Sequence, residues 1–376
     1  MSLKNRNLTL LIAVAVIVIL VGVFAYYSNI SNKNSEAPLQ ENVVLTGSGA
    51  TFPQAQINYW IQKFNEKYPN IKIEYMGGGS GKGQTDFVQG VVDFAGSDVP
   101  MKTEIWTAAK NKYGKVYQIP WIAGGEAIVY NVPEISGKAL KLSREALAGI
   151  LLGKIVYWDD PLIAKDNPGV TLPHKEIIFV HRSDASGTTA IFTSYLSLIS
   201  TEWRQKVGVG LTVSWPLDAV GRGVGAQGNQ GVAQTVKNTP YSLGYVEFAY
   251  MKGLQVAMLE NRAGEFVEAT GEGVSKALAG MEVNIDPTAD LNQYDLLSKI
   301  LDVQAKGAYP IVSVSYVLVK DPSQYSSEKA KALGLFLEWV FKEGQSGGNI
   351  IEGYAPVSGG FVQEGLKVAE ALKSRK

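Results

Sequence analysis

The sequence predicts an α/β protein of two lobes, and three observations carry that expectation. From Val43 onward, short apolar runs alternate with stretches of helical spacing, the pattern of layered strands and helices. At 376 residues, 46% hydrophobic and 19% charged, the chain exceeds one ordinary domain and can bury a substantial core. Loops rich in glycine and small hydroxyl residues fall where strands end, which is where open α/β sheets hold ligands.

Taken in order, residues 43–46 read as a strand and 54–68 as a helix opened by Pro53, whose missing N–H would find no partner inside the helix anyway. A strand at 71–76, a glycine loop, a helix near 84–89 and a short strand at 93–96 follow. Thr51, Ser80 and Asp98 then each fall just beyond a strand's carboxyl end. After a strand at 116–121, Gly124-Gly125 is expected to break the chain, and a second lobe, 124–309, is inserted into the first, 43–123 with 310–376. In the insert, 176–181 reads as a strand, 187–198 as a helix, the glycine-rich run 220–231 as the approach to a helix at 232–237, and 242–248 as extended. Pro310 precedes a strand at 311–320, and the helix 327–342 places Leu333, Phe336, Leu337 and Val340 on one face, which assigns it to the core.

The amino-terminal segment 1–27 predicts a membrane anchor. Leu8 to Tyr27 is apolar almost throughout and follows Lys4 and Arg6, and twenty residues at about 1.5 Å each cross a hydrocarbon layer of about 30 Å. The flanking charge keeps the amino end inside and sends the remainder to the outer face. Cleavage after Ala25 would instead release the protein as a secreted form. Residues 28–42, polar and containing Pro38, read as a tether, with Asn29-Ile30-Ser31 a glycan acceptor where the host glycosylates.

Lys plus Arg balance Asp plus Glu at 35 each, so no general positive field gathers nucleic acid, and any anion site must be local. Cysteine is absent, which removes disulfides, a thiol nucleophile and a lipid-attachment thiol, and His174 with His181 are too few for a typical zinc site. No metal, cofactor or catalytic residue is expected. The glycine run around Gly81-Lys82 departs from a P-loop, with Met76 at the first glycine position and Gly83 where a hydroxyl would hold magnesium. Trp60, Trp106 and Trp339 stand at helical spacing and read as core.

Four stretches instead suggest a cage for a small oxyanion: Gly47-Ser48-Gly49-Ala50-Thr51-Phe52-Pro53, Gly77-Gly78-Gly79-Ser80-Gly81, Ser97-Asp98, and Arg182-Ser183-Asp184-Ala185-Ser186-Gly187-Thr188-Thr189. Hydroxyls and N–H groups at helix starts are donors for negative charge, and glycine lets backbone approach it closely. Arg182 would supply the formal charge, with Asp184 holding its planar fork. Asp98 is informative because a carboxylate facing an anion is repulsive unless the ligand brings a proton, which phosphate does and sulfate at neutral pH does not.

With these residues in view, the chain resembles the phosphate-binding proteins of phosphate ABC transporters, the PstS family. The stretches above carry the resemblance, with Phe94-Ala95-Gly96-Ser97-Asp98-Val99-Pro100, Gly153-Lys154-Ile155, Trp158-Asp159-Asp160 and Gly244-Tyr245-Val246-Glu247. It implies a two-lobed periplasmic-binding-protein fold of type II, no enzymatic activity, and delivery of phosphate to membrane permease subunits at the extracytoplasmic face by a monomer. It further implies a phosphate site of Thr51, Phe52, Ser80, Asp98, Arg182, Ser186, Gly187 and Thr188, supported by Asp184. Two departures stand out: Lys82, which could add a second cation, and His181, where another arginine is common. The alternatives are a receptor for sulfate, arsenate or molybdate, and a secreted phosphatase.

Overall fold

The computed structural model describes residues 42–375 apart from 136, 138, 280, 282 and 283; the expected anchor, the tether up to residue 41 and Asn29 lie outside them. Among the described residues, no helix is long and apolar enough to cross a membrane.

Eight strands build the sheet that carries the site: β1 (Val43–Gly49), β2 (Ile71–Gly77), β3 (Phe94–Ser97), β4 (Val116–Asn131), β5 (Ile178–Arg182), β6 (Gly223–Ala226), β7 (Ser242–Glu247) and β8 (Val312–Lys320). Their order across the sheet is β2-β1-β3-β8-β4-β7-β5-β6, with the short strands Gln255–Val256 and Tyr354–Ala355 also paired to β4. β1 pairs in parallel with β2 and β3, and β5 pairs in parallel with β6 and β7. Every residue of β8 is buried, as a central strand covered on both faces requires.

The helices that matter to the site are α1 (Gln54–Lys67), α2 (Ser80–Gln89), α3 (Gly187–Ile199) and α4 (Gly228–Asn238), with α5 (Ser327–Lys342) and α6 (Gly360–Lys373) in the core. On α1, Ile57, Trp60, Ile61 and Phe64 recur at helical spacing and are buried. The Trp60 indole N–H donates to the Gly344 carbonyl at 3.0 Å and its ring meets Trp121 edge-on, so the helix is fixed in rotation as well as position. Trp339 is likewise buried on α5, which the spacing had placed in the core, and Trp106 is half-buried.

Several boundaries differ from expectation. β1 runs on through Gly47-Ser48-Gly49, because these residues still pair with Tyr75, Met76 and Gly77. α2 and α4 each begin one turn earlier than predicted, at Ser80 and Gly228. Glycine-rich composition masks a helix start, since helix propensity is poor there while packing decides.

The largest correction concerns Gly124-Gly125, which breaks nothing. β4 passes through both glycines as one strand, with its first part against β8 and its last part, Glu126 to Asn131, against β7. The glycines make room for rings: a Cβ on Gly124 would lie 3.0 Å from the Phe52 ring, and one on Gly125 only 2.4 Å from the Phe248 ring. Gly125→Ala therefore overpacks Phe248 and is expected to lower stability by about 1–3 kcal/mol. Urea unfolding would measure it, with partial recovery in the double variant carrying Phe248→Leu.

Candidate functional site

β1, β2 and β3 run in one sense and β5 and β7 in the opposite one, so the loops after β1 to β3 and the loop after β5 leave oppositely directed strands, and the four stretches singled out in the sequence meet between them. After β2, Gly79 has φ +89°, a left-handed conformation that glycine adopts without strain, and this turns the chain directly into α2 at Ser80. The Asp98 amide donates to Ser80 Oγ at 3.0 Å, and that hydroxyl lies 3.2 Å from Asp98 Oδ2. The two residues are thus locked together, both buried.

The Arg182 to Thr188 segment packs straight onto them. The Gly81 amide donates to the Ala185 carbonyl at 2.9 Å. A Cβ on Gly187 would stand 2.4 Å from Ser80 Oγ and 2.6 Å from Asp98 Oδ2, so only glycine permits this approach. Ser186 caps α3, accepting from the Thr189 amide at 3.1 Å, which leaves the first-turn N–H groups of Gly187 and Thr188 without partners inside the helix.

Arg182 is 4% exposed and its guanidinium is held on several sides. Nε donates to Asp184 Oδ1 at 2.7 Å, Nη2 donates to Asp184 Oδ2, and Nη1 donates to Thr188 Oγ1 at 3.0 Å. Burial pushes the Asp184 carboxyl up, but the Arg182 fork and the Gly228 amide, donating at 3.0 Å, outweigh it and hold the group below the usual carboxylate range. Thr51 arrives from the other direction: its hydroxyl accepts from Asn229 Nδ2 at 3.0 Å, the same amide group reaches Thr188 Oγ1 at 3.2 Å, and the Thr51 carbonyl accepts from Tyr250 Oη at 2.8 Å. Phe52 is buried beside it, with its carbonyl accepting from Tyr354 Oη at 2.5 Å.

All nine predicted residues therefore share one neighbourhood: Thr51 and Phe52 lie just ahead of α1, Ser80 opens α2, Ser186 caps α3 with Gly187 and Thr188 in its first turn, and helix N-termini favour anions. Lys82 is not a second cation for it, since its ammonium donates to Asp86 Oδ2 at 2.5 Å along α2. His181 is held by Asp218 Oδ1 at 2.9 Å and by the Arg182 carbonyl at 3.0 Å. Burial dominates at Asp98, pushing its carboxyl up to about 7 against the pull of Ser315, Arg182 and Ser80.

A family model described as a PBP superfamily domain matches residues 32–343. The phosphate-binding protein PstS of Methanocaldococcus jannaschii is 45% identical over 352 residues, covering 92% of this chain and 90% of that protein. The phosphate-binding protein PstS of Pasteurella multocida is 39% identical over 322 residues, covering 85% and 88%. This chain belongs to the PstS family of the PBP superfamily. The fold agrees: a high affinity periplasmic phosphate-binding protein bound with phosphate superposes with a TM-score of 0.67 at 21% identity, covering 86% of this chain and 92% of that one. A phosphate binding protein from Stenotrophomonas maltophilia gives 0.61 at 18% identity, covering 86% and 93%.

Some residues of this neighbourhood escaped the sequence reading. Ser315 on β8 donates to Asp98 Oδ1 at 2.7 Å, and Asn229 ties Thr51 to Thr188. Asn229 carries a faint signal, an amide just after a glycine run at a helix start; Ser315 carries none, being one of three hydroxyl residues in a fully buried strand. Gly187→Ala should forbid the contact with Ser80 and Asp98 and weaken ligand binding by about 5- to 150-fold, since overpacking of this kind costs about 1–3 kcal/mol. Calorimetry would read the affinity, and thermal unfolding would show whether the fold survives.

Proposed function

We propose that this chain captures inorganic phosphate outside the cytoplasm and delivers it to the permease of an ABC transporter, without chemical turnover. The observation that carries the reading is the placing of a buried carboxyl, Asp98, in the same donor-lined neighbourhood as the buried Arg182. The relatives described above, both phosphate-binding proteins, support it. Thr51, Phe52, Ser80, Ser186, Gly187 and Thr188 supply hydroxyl and N–H donors, Arg182 the charge, and Asp184 the support.

The proposed lobes are 43–123 with 310–376 and 124–309. The change of partner along β4, from β8 to β7 at Glu126, supports that division and the type II arrangement. Hinge closure between them would bring both donor sets onto one ligand, and the permease would read the closed state. The expected amino-terminal helix would keep the protein, a monomer, at the outer membrane surface. Charge-assisted hydrogen bonds contribute about 1.5–3 kcal/mol each. Several, less the cost of ordering and closure, support a dissociation constant of about micromolar or tighter.

Asp98 sets the anion selectivity through one shared proton. Because burial favours the acid form, the carboxyl is protonated below about 7 and loses its proton as pH rises through that value. As an acid it donates to the phosphate dianion; as a carboxylate it accepts from the monoanion. Sulfate brings no proton, so it faces a bare carboxylate above that pH and a donor below it. Sulfate competition in calorimetry should accordingly grow as pH falls through about 7. Asp98→Asn, which presents an N–H donor at every pH, should weaken phosphate and admit sulfate throughout; unchanged sulfate exclusion in that variant would remove Asp98 from the role.

Arg182→Ala strips the cation and leaves Asp184 buried without its partner. A loss of about 2–5 kcal/mol in phosphate binding is expected, and full retention of affinity in a titration would mean that the cage lies elsewhere.

A further inference from the structure

Beside the anion site lie two carboxyls that none of the interactions above uses. Glu126 and Glu247 stand directly opposite each other where β4 passes from β8 to β7, and both are fully buried. The Glu126 amide donates to the Ile311 carbonyl at 2.9 Å and the Glu247 amide to Asn229 Oδ1 at 2.9 Å, so neither amide serves the facing strand. Such a non-hydrogen-bonded pair brings backbones to about 4.5 Å and side chains closer still. Glu247 Oε1 leans over β4, 3.3 Å from where a Cβ on Gly124 would be, and residues two apart on a strand share a face.

Among the described residues, both Glu126 oxygens and Glu247 Oε1 are buried without a hydrogen-bond partner, while Glu247 Oε2 accepts from the Ala249 amide at 2.9 Å. Two ionised carboxylates cannot persist so placed; a carboxylic acid, by contrast, brings its own O–H donor and can satisfy a facing acceptor. The groups around the pair sharpen the point. Glu126 feels Asp98 from the turn after β3, Arg182 from β5, Tyr245 from the strand of Glu247 and Tyr309 ahead of β8. Glu247 has the Tyr354 hydroxyl within hydrogen-bond reach, which favours its ionised form, and feels Asp98 and Tyr250, which oppose it. The one cation among them, Arg182, is already engaged by Asp184. Burial pushes both glutamates well above the usual carboxylate range.

We propose that Glu126 and Glu247 form a pair of carboxylic acids, each carrying its own proton, whose neutrality is a condition of anion capture, making Glu126 a positioning residue that shapes the alkaline fall of binding. This rests on the phosphate reading for its ligand. The pair holds both protons where a second negative centre would otherwise oppose both Asp98 and the incoming anion. Once pH rises far enough to remove the first of these protons, capture weakens; because the two groups titrate together, the change belongs to the pair and not to either residue.

Two measurements on the purified full chain test it. In the ligand-free protein labelled at glutamate carboxyls, infrared spectra at about pH 8 should show the carbonyl stretch of a protonated acid, lost or shifted in Glu126→Gln. Glutamate labelling leaves Asp98 silent. In phosphate titrations from about pH 5 to about pH 9, Glu126→Gln, whose amide is neutral at every pH, should bind within about threefold of the unsubstituted chain at the acid end. Its alkaline loss of affinity should be displaced upward by at least about one pH unit, that is, about tenfold in affinity at a fixed alkaline pH. An absent acid band, or a pH profile unchanged by the substitution, overturns the pair. Failure of the unsubstituted chain to bind phosphate at any pH, with the acid band present, overturns the phosphate reading instead, and the capture claim with it.

Discussion

One buried guanidinium governs the rest. Arg182 cannot shed its proton, so its burial demands compensation on the spot. Three of its five N–H groups are taken by Asp184 and Thr188, leaving two for anything else in the site. Holding Asp184 in turn requires the Gly228 amide, and holding Thr188 brings in Asn229, which reaches Thr51. The start of α4 is thereby linked to the loop after β1, although 178 residues separate Thr51 from Asn229. A chain of hydrogen bonds that begins at one charge ends by setting the positions of three loops.

Charge bookkeeping explains the chemistry of the neighbourhood. Asp98, Glu126 and Glu247 are buried close to one another, and the nearby cation is already paired. Water is scarce there, so ionised carboxyls are costly and protons are the cheapest means of neutralising them. A site built this way responds to the proton content of its ligand and of its own walls together.

The legible part of the protein was its local grammar. Apolar spacing marked α5 to the residue, Pro53 marked the start of α1, and loops after strands marked Thr51, Ser80, Asp98 and Arg182. Glycine misled in both directions. At Gly124-Gly125 it signalled a break where the glycines only make room for Phe52 and Phe248, and at Ser80 and Gly228 it concealed helix starts. A glycine reports that a side chain is unwelcome; whether a turn or a neighbouring ring is the reason depends on what packs there.

By itself the sequence determined the alternation of strands and helices, the hydroxyl-rich loops, the lone arginine in them and the family resemblance, because these are set by side-chain chemistry and short-range spacing. Only the tertiary structure decided that Ser315 would reach Asp98, that Asn229 would bridge Thr51 and Thr188, that Lys82 would turn to Asp86, and that Glu126 would face Glu247. Each of these, save the local Lys82 pair, joins segments far apart in the chain. Sheet register and the approach of loops from distant strands create such meetings, and no spacing along the chain encodes them.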